Sequence, residues 1–130
     1  MYILILEDDP ERIKWFRKRF ENHNIRIHDN VEMAIKEAVY MNSWRQFDLL
    51  FLDHDLGNFP KGGDGIEFVK WLCAFKANSE EGKAMNPKII VHSHNPVGAD
   101  RMASMLEDSF DVYQIPFSTL QKLPTVIEGV

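Results

Sequence analysis

A single cysteine among 130 residues leaves no internal disulfide to form, which points to a core held by packing and to a reducing, cytoplasmic setting. Cys73 itself lies in an apolar-periodic segment and reads as a small buried hydrophobe. No apolar run is long enough to span a bilayer, and Met1-Tyr2-Ile3 lacks the basic start of a secretory signal. Positive charge is also short. A net charge of −5 argues against a broad basic surface for nucleic acid or an anionic membrane, while leaving room for a small phosphorylated ligand or an RNA end bound locally. Internal repeats and low-complexity tracts are missing too. The length predicts one domain over residues 1–130 with a sizeable core.

What is present is organised around Phe47-Asp48-Leu49-Leu50-Phe51-Leu52-Asp53-His54-Asp55-Leu56-Gly57. Its apolar run has strand length and no alternation, as expected of a parallel strand covered by helices on both faces. Ile3-Leu4-Ile5-Leu6 and Ile89-Ile90-Val91 are of the same kind. All three runs break into polar clusters: Glu7-Asp8-Asp9, Asp53-His54-Asp55 and His92-Ser93-His94-Asn95. Ligands of open parallel sheets bind beyond the carboxyl ends of the strands, so these clusters predict one shared site.

Between the runs lie helix signals. Asp9-Pro10 reads as an N-cap and a proline at the first helical position, followed by Ile13, Phe16 and Phe20 on the sheet-facing side. His23-Asn24 is a stop, and Ile25-Arg26-Ile27 alternates like an edge strand. Asp29 with Glu32 predicts a capping box, with Val31, Ala34, Ile35 and Ala38 inward. Asn58 to Gly63 is a long loop; Asp64 and Glu67 then open a helix through Ile66, Val69 and Cys73. Residues 77–86 read as a surface loop or a frayed helix end. Asn95-Pro96 starts a helix carrying Met102, Met105 and Leu106, Asp111 to Ile115 forms a last strand, and Ser118 caps a short final helix. This β-α alternation, five times over, predicts a doubly wound α/β fold with a parallel sheet and helices on both faces.

With these residues in place, the chain resembles the receiver domain of two-component signalling, a flavodoxin-like module, and the resemblance implies five strands in the order 2-1-3-4-5. Glu7 and Asp8 match the receiver's acidic pair and Asp53 its phosphoacceptor. Asp64-Gly65 resembles the start of its third helix, and Pro116-Phe117 the proline and its neighbour after the last strand. The resemblance implies a lysine before that proline to hold a phosphoryl group, where this chain has Ile115. It also implies a hydroxyl at the end of the fourth strand. There the chain has His92, and Ser93 recovers the hydroxyl only if the register slips by one, which turns its side chain to the other face. These departures resemble the cyclic-phosphate processing receiver domain, which combines the acidic pocket with a histidine motif like His92-Ser93-His94-Asn95. Asp53-His54-Asp55-Leu56-Gly57 and the loop after it fit that offshoot as well.

Glu7, Asp8 and Asp53 are hard oxygen donors from neighbouring strand ends, suited to Mg²⁺ or Mn²⁺; without a cation they would raise one another's pKa. The resemblance adds the Asp55 backbone carbonyl as a ligand. The Asp55 side chain adds another if the strand stays extended. Two apart on a strand end, His92 and His94 can both face the pocket as base and acid in opening a cyclic phosphodiester. Alternatively they bind a transition metal such as Zn²⁺ together with Asp53. Asn95 serves equally as an N-cap or as a phosphate ligand at a helix start, with Ser93 beside it. Lys61 reads as a solvated loop lysine, with reach to a phosphate as its alternative, His54 as pointing away from Asp53, His23 and His28 as surface residues, and Trp15, Trp44 and Trp71 as packing residues.

Three functions follow from these residues. The first is a receiver-fold phosphoesterase in which Asp53, His92 and His94 carry the chemistry. The second is a non-catalytic receiver using Asp53 as phosphoacceptor, with output through a separate protein partner. The third is a degenerate receiver that binds a nucleotide without turning it over.

Overall fold

The computed structural model describes residues 1–40, 47–56 and 64–123. Trp44, Gly57, Lys61 and the loop from Asn58 to Gly63 lie outside the described residues. The apolar runs form the centre of a five-stranded sheet: β1 (Tyr2–Leu6), β2 (Asn24–His28), β3 (Phe47–Leu52), β4 (Lys88–Val91) and β5 (Asp111–Gln114). All pairings are parallel and the order is β2-β1-β3-β4-β5. The half-exposed β2 and β5 are the edges, as their alternating sequences require.

Each central strand feeds two cores because successive side chains point to opposite faces. Leu4, Leu6, Leu50, Leu52, Ile89 and Val91 pack on one face, against α2 (Val31–Tyr40), α3 (Gly65–Asn78) and α5 (Pro96–Leu106). Ile3, Ile5, Leu49, Phe51 and Ile90 pack on the other, under Phe16 and Phe20 of α1 (Pro10–Arg19) and Phe117 and Leu120 of α6 (Phe117–Leu120). The register of β1 on β3 shifts between Tyr2 and Ile3, and there the Asp48 carboxylate accepts the Tyr2 N–H at 2.9 Å.

Local expectations hold where a side chain bonds its own helix start. Asp9 accepts from the N–H groups of Glu11 and Arg12, and Asp64 from Glu67. Four expectations are corrected. Asn30, not Asp29, caps α2, accepting the Met33 N–H at 2.8 Å. Within 77–86 a further short helix forms, α4 (Glu80–Ala84), capped by Ser79. Ser118 lies inside α6, whose N-cap position is Pro116 with no side-chain cap bond. His28 is no free surface residue: its Nε2 lies 3.1 Å from Glu37 of α2, and its side chain is mostly buried. Among the described residues no helix is long and apolar enough to cross a membrane.

Candidate functional site

The sheet order reverses between β1 and β3, and the polar clusters gather beyond this point. The register pairs Leu6, Leu52 and Val91 across the three central strands. The ladder runs one step further: Glu7 N–H donates to His28 O, Asp53 N–H to Leu6 O and His92 N–H to Leu52 O. Glu7, Asp53 and His92 therefore form the next row, on the α1 face by the same alternation that sends Ile5, Phe51 and Ile90 there. All three are buried, and each offers a donor atom within 4.8 Å of the others.

Within the row, His92 Nε2 lies 2.8 Å from Glu7 Oε1, and the other Glu7 oxygen accepts the N–H groups of Asp8 and Asp9. The His92 ring is fully buried with its edge toward Phe16, and its Nδ1 meets no hydrogen-bond partner among the described residues. Asp53 Oδ1 accepts the His54 N–H at 2.9 Å. Burial, then the neighbouring Glu7 charge, pushes the Asp53 carboxyl up to about 6, against the opposing pull of His92, Arg12 and the His54 N–H. Glu7 moves the other way. Burial raises it, but the His92 hydrogen bond and charge, the Asp9 N–H and Arg12 outweigh burial and hold it below the usual range.

Above this row opens a cavity of about 480 Å³, within the size range of small-ligand sites. Asp8, Asp53 and Asp55 line it from β1 and β3, and Ser93, His94 and Asn95 from the end of β4. Glu7 and His92 do not line it. The two histidines part company because β4 ends at Val91: His92 keeps the ladder, its carbonyl accepting the Phe117 N–H, while the chain then turns and leaves His94 exposed on the cavity wall. Ser93 reaches the wall without any slip of register, for the strand has ended by then; its Oγ accepts the Asn95 N–H. Asn95 caps α5 through Gly98 N–H, and its Nδ2 lies 3.3 Å from Asp55. Asp55 also holds His54 at 2.6 Å, which keeps that ring away from Asp53 and against Gly98.

Arg12 was not legible as a site residue, yet it lines the same cavity. It stands one helical turn before the buried Phe16 and so shares its sheet-facing side, the one available signal. Its Nη1 lies 3.6 Å from Glu7 and 3.7 Å from Asp53. Ile115, at the position of the receiver lysine, packs among the apolar residues of the α1 face.

The sequence matches the family described as the cyclic-phosphate processing receiver domain over residues 2–108. The chain belongs to this family. No curated protein matches it. Solved receiver domains share the fold at low identity. The response regulator domain of Thermotoga maritima CheB is similar with a TM-score of 0.65 and 15% identity, covering 99% of this chain and 92% of that one. The Mn²⁺-bound response regulator Rcp1 is similar at 0.62 and 18%, covering 98% and 89%. The N-terminal domain of a response regulator protein from Carboxydothermus hydrogenoformans is similar at 0.63 and 23%, covering 99% and 92%.

The oxygen donors on the cavity wall of this receiver domain suit a hard divalent cation. Asp8, Asp53 and Asp55 bring three carboxylates to the lining of one cavity. Glu7 belongs with Asp53 and His92 to a group whose donor atoms could hold a metal ion, but it lies buried off the cavity wall that Asp8, Asp53 and Asp55 line.

Proposed function

We infer that this receiver domain opens a cyclic phosphodiester, or removes a terminal phosphate, on a nucleotide or an RNA end. The observation that carries the reading is the exposed His94 on the wall of a cavity that Asp53 also lines. An imidazole and a carboxylate placed in one cavity are suited to proton transfer to and from a reacting phosphate. Opening the ring needs a water oxygen to bond phosphorus while the bond to one ribose oxygen breaks. One group must take the water proton and another must give a proton to the leaving oxygen. Asp53, as the carboxylate that a bound cation requires, is assigned the proton taken from water, and His94 the proton given to the leaving oxygen. His92 acts through Glu7, holding the row beneath. Ser93 and Asn95 face the phosphate from the β4 end.

Asp8, Asp53 and Asp55 would hold Mg²⁺ or Mn²⁺, a choice supported by their hard oxygen donors and by the Mn²⁺-bound state of the similar receiver Rcp1. Such a cation supplies positive charge to the phosphoryl oxygens and acidifies a bound water. The lone Cys73 suits a cytoplasmic setting.

The test is turnover of 2′,3′-cyclic nucleotides and cyclic-phosphate RNA ends with Mg²⁺, Mn²⁺, Zn²⁺ or chelator. Metal-dependent hydrolysis lost in His94→Ala and in Asp53→Ala supports the reading, and no hydrolysis under any condition sinks it. A second reading, a non-catalytic receiver with a separate protein partner, is favoured by Asp53 standing at the end of β3 with its carboxyl facing the cavity. Beryllofluoride with Mg²⁺ binding at Asp53 and shifting α5 or β5 would favour it.

A further inference from the structure

We propose that Arg12 is the phosphate-binding cation of this cavity, doing from α1 what the resemblance assigns to a lysine ahead of Pro116. Four observations converge on it. Among the described residues, Arg12 is the one arginine or lysine on the cavity wall. That wall also carries Asp8, Asp9, Asp53 and Asp55, so an incoming anion meets repulsion unless a fixed cation receives it. The separations of 3.6 and 3.7 Å to Glu7 and Asp53 steer the guanidinium without forming hydrogen bonds, which leaves its N–H fork unspent among the described residues. The guanidinium also lies over the Phe117 ring, 5.3 Å from its centroid, so the side chain is held before any ligand arrives.

The position of the support explains how the lysine became dispensable. Ile115 packs with the apolar cluster, while Phe117, two residues on, offers its ring to the Arg12 guanidinium. A planar fork presented to one space matches two phosphate oxygens at once, which a lysine ammonium does not. The bland role for Arg12 is to balance Glu7 and Asp53. A lysine would fill that role as well, and this separates the two.

The inference rests on the cavity being a phosphate site, but not on turnover. Binding of inorganic phosphate and of a 2′,3′-cyclic nucleotide is measured calorimetrically with Mg²⁺ present, for wild type, Arg12→Lys and Arg12→Gln. Loss of the fork and charge in Arg12→Gln is expected to weaken both probes about 10- to 100-fold. Arg12→Lys, which keeps the charge between Glu7 and Asp53, is expected to recover only part of that loss. If Arg12→Gln fails to fold, Arg12→Lys decides alone. Wild-type affinity in Arg12→Lys, or no binding of either probe by the wild type, overturns the proposal. Binding that depends on Arg12 without any hydrolysis supports it and overturns the hydrolytic reading alone. Hydrolysis with unchanged KM in Arg12→Lys does the reverse.

Discussion

Asp53 carries a charge that its surroundings resist. Its carboxyl is pushed from the ordinary 3.8 up to about 6, chiefly by burial and then by Glu7. At pH below 3.8 it is protonated in the folded and unfolded chain alike and imposes no cost; the cost is complete once pH passes about 6. Its contribution to stability therefore falls as pH rises through this window. Asp53→Asn should raise Tm at about pH 7.5 and leave it nearly unchanged at about pH 3.5, as read by thermal melts. An unchanged or lower Tm at the higher pH contradicts the assignment. Because a cation competes with the same proton, Mn²⁺ affinity should climb with pH and level off above about 6.

The two histidines should behave oppositely. His92→Ala strips the buried Glu7 of its partner and should cost about 3–5 kcal/mol in denaturant melts. His94 is exposed, so His94→Ala should change stability by less than about 0.5 kcal/mol. The same change should lower turnover by about 10²- to 10⁴-fold. The spacing of two was visible in the sequence, but the end of β4 at Val91, which separates their surroundings, was not. Strand alternation puts residues on one face only while the strand lasts.

At the scale of elements, the junction of β3 with α3 and α5 sets the geometry. Gly65 N–H donates to His54 O, and a Cβ on Gly65 would sit 2.3 Å from the Asp53 carbonyl oxygen. The carbonyl cannot yield without moving the strand end, so Gly65→Ala should cost about 1–3 kcal/mol and displace Asp53. Denaturant melts together with the Mn²⁺ affinity check this; a variant with wild-type affinity contradicts the displacement. The helix starts were legible where one residue both caps and precedes an apolar pattern, as with Asp9, Asp64 and Asn95. Asp29 and Asn30 are adjacent and equally able to cap, so the local pattern could not choose between them. The polar, five-residue α4 carries no periodic stripe to read, and the His28–Glu37 pair joins β2 to α2 across a distance no local pattern spans.

Across the whole molecule, the parallel sheet was legible because three unbroken apolar runs demanded cover on both faces, while its strand order followed from the receiver resemblance. The same runs, carried one residue past their ends, place Glu7, Asp53 and His92 in one row. Arg12 escaped notice because only the closed fold lays α1 over that row and sets Phe117 beneath the guanidinium. The proposed chemistry is the conversion of a cyclic phosphate to a monoester in this cavity. Its most direct test is a ³¹P NMR time course of a 2′,3′-cyclic nucleotide with the protein and Mn²⁺. With wild type the cyclic resonance should give way to a monoester resonance, and with His94→Ala or with chelator it should persist. A cyclic resonance that persists with wild type and each metal tried, or a monoester that forms as fast with His94→Ala, contradicts it.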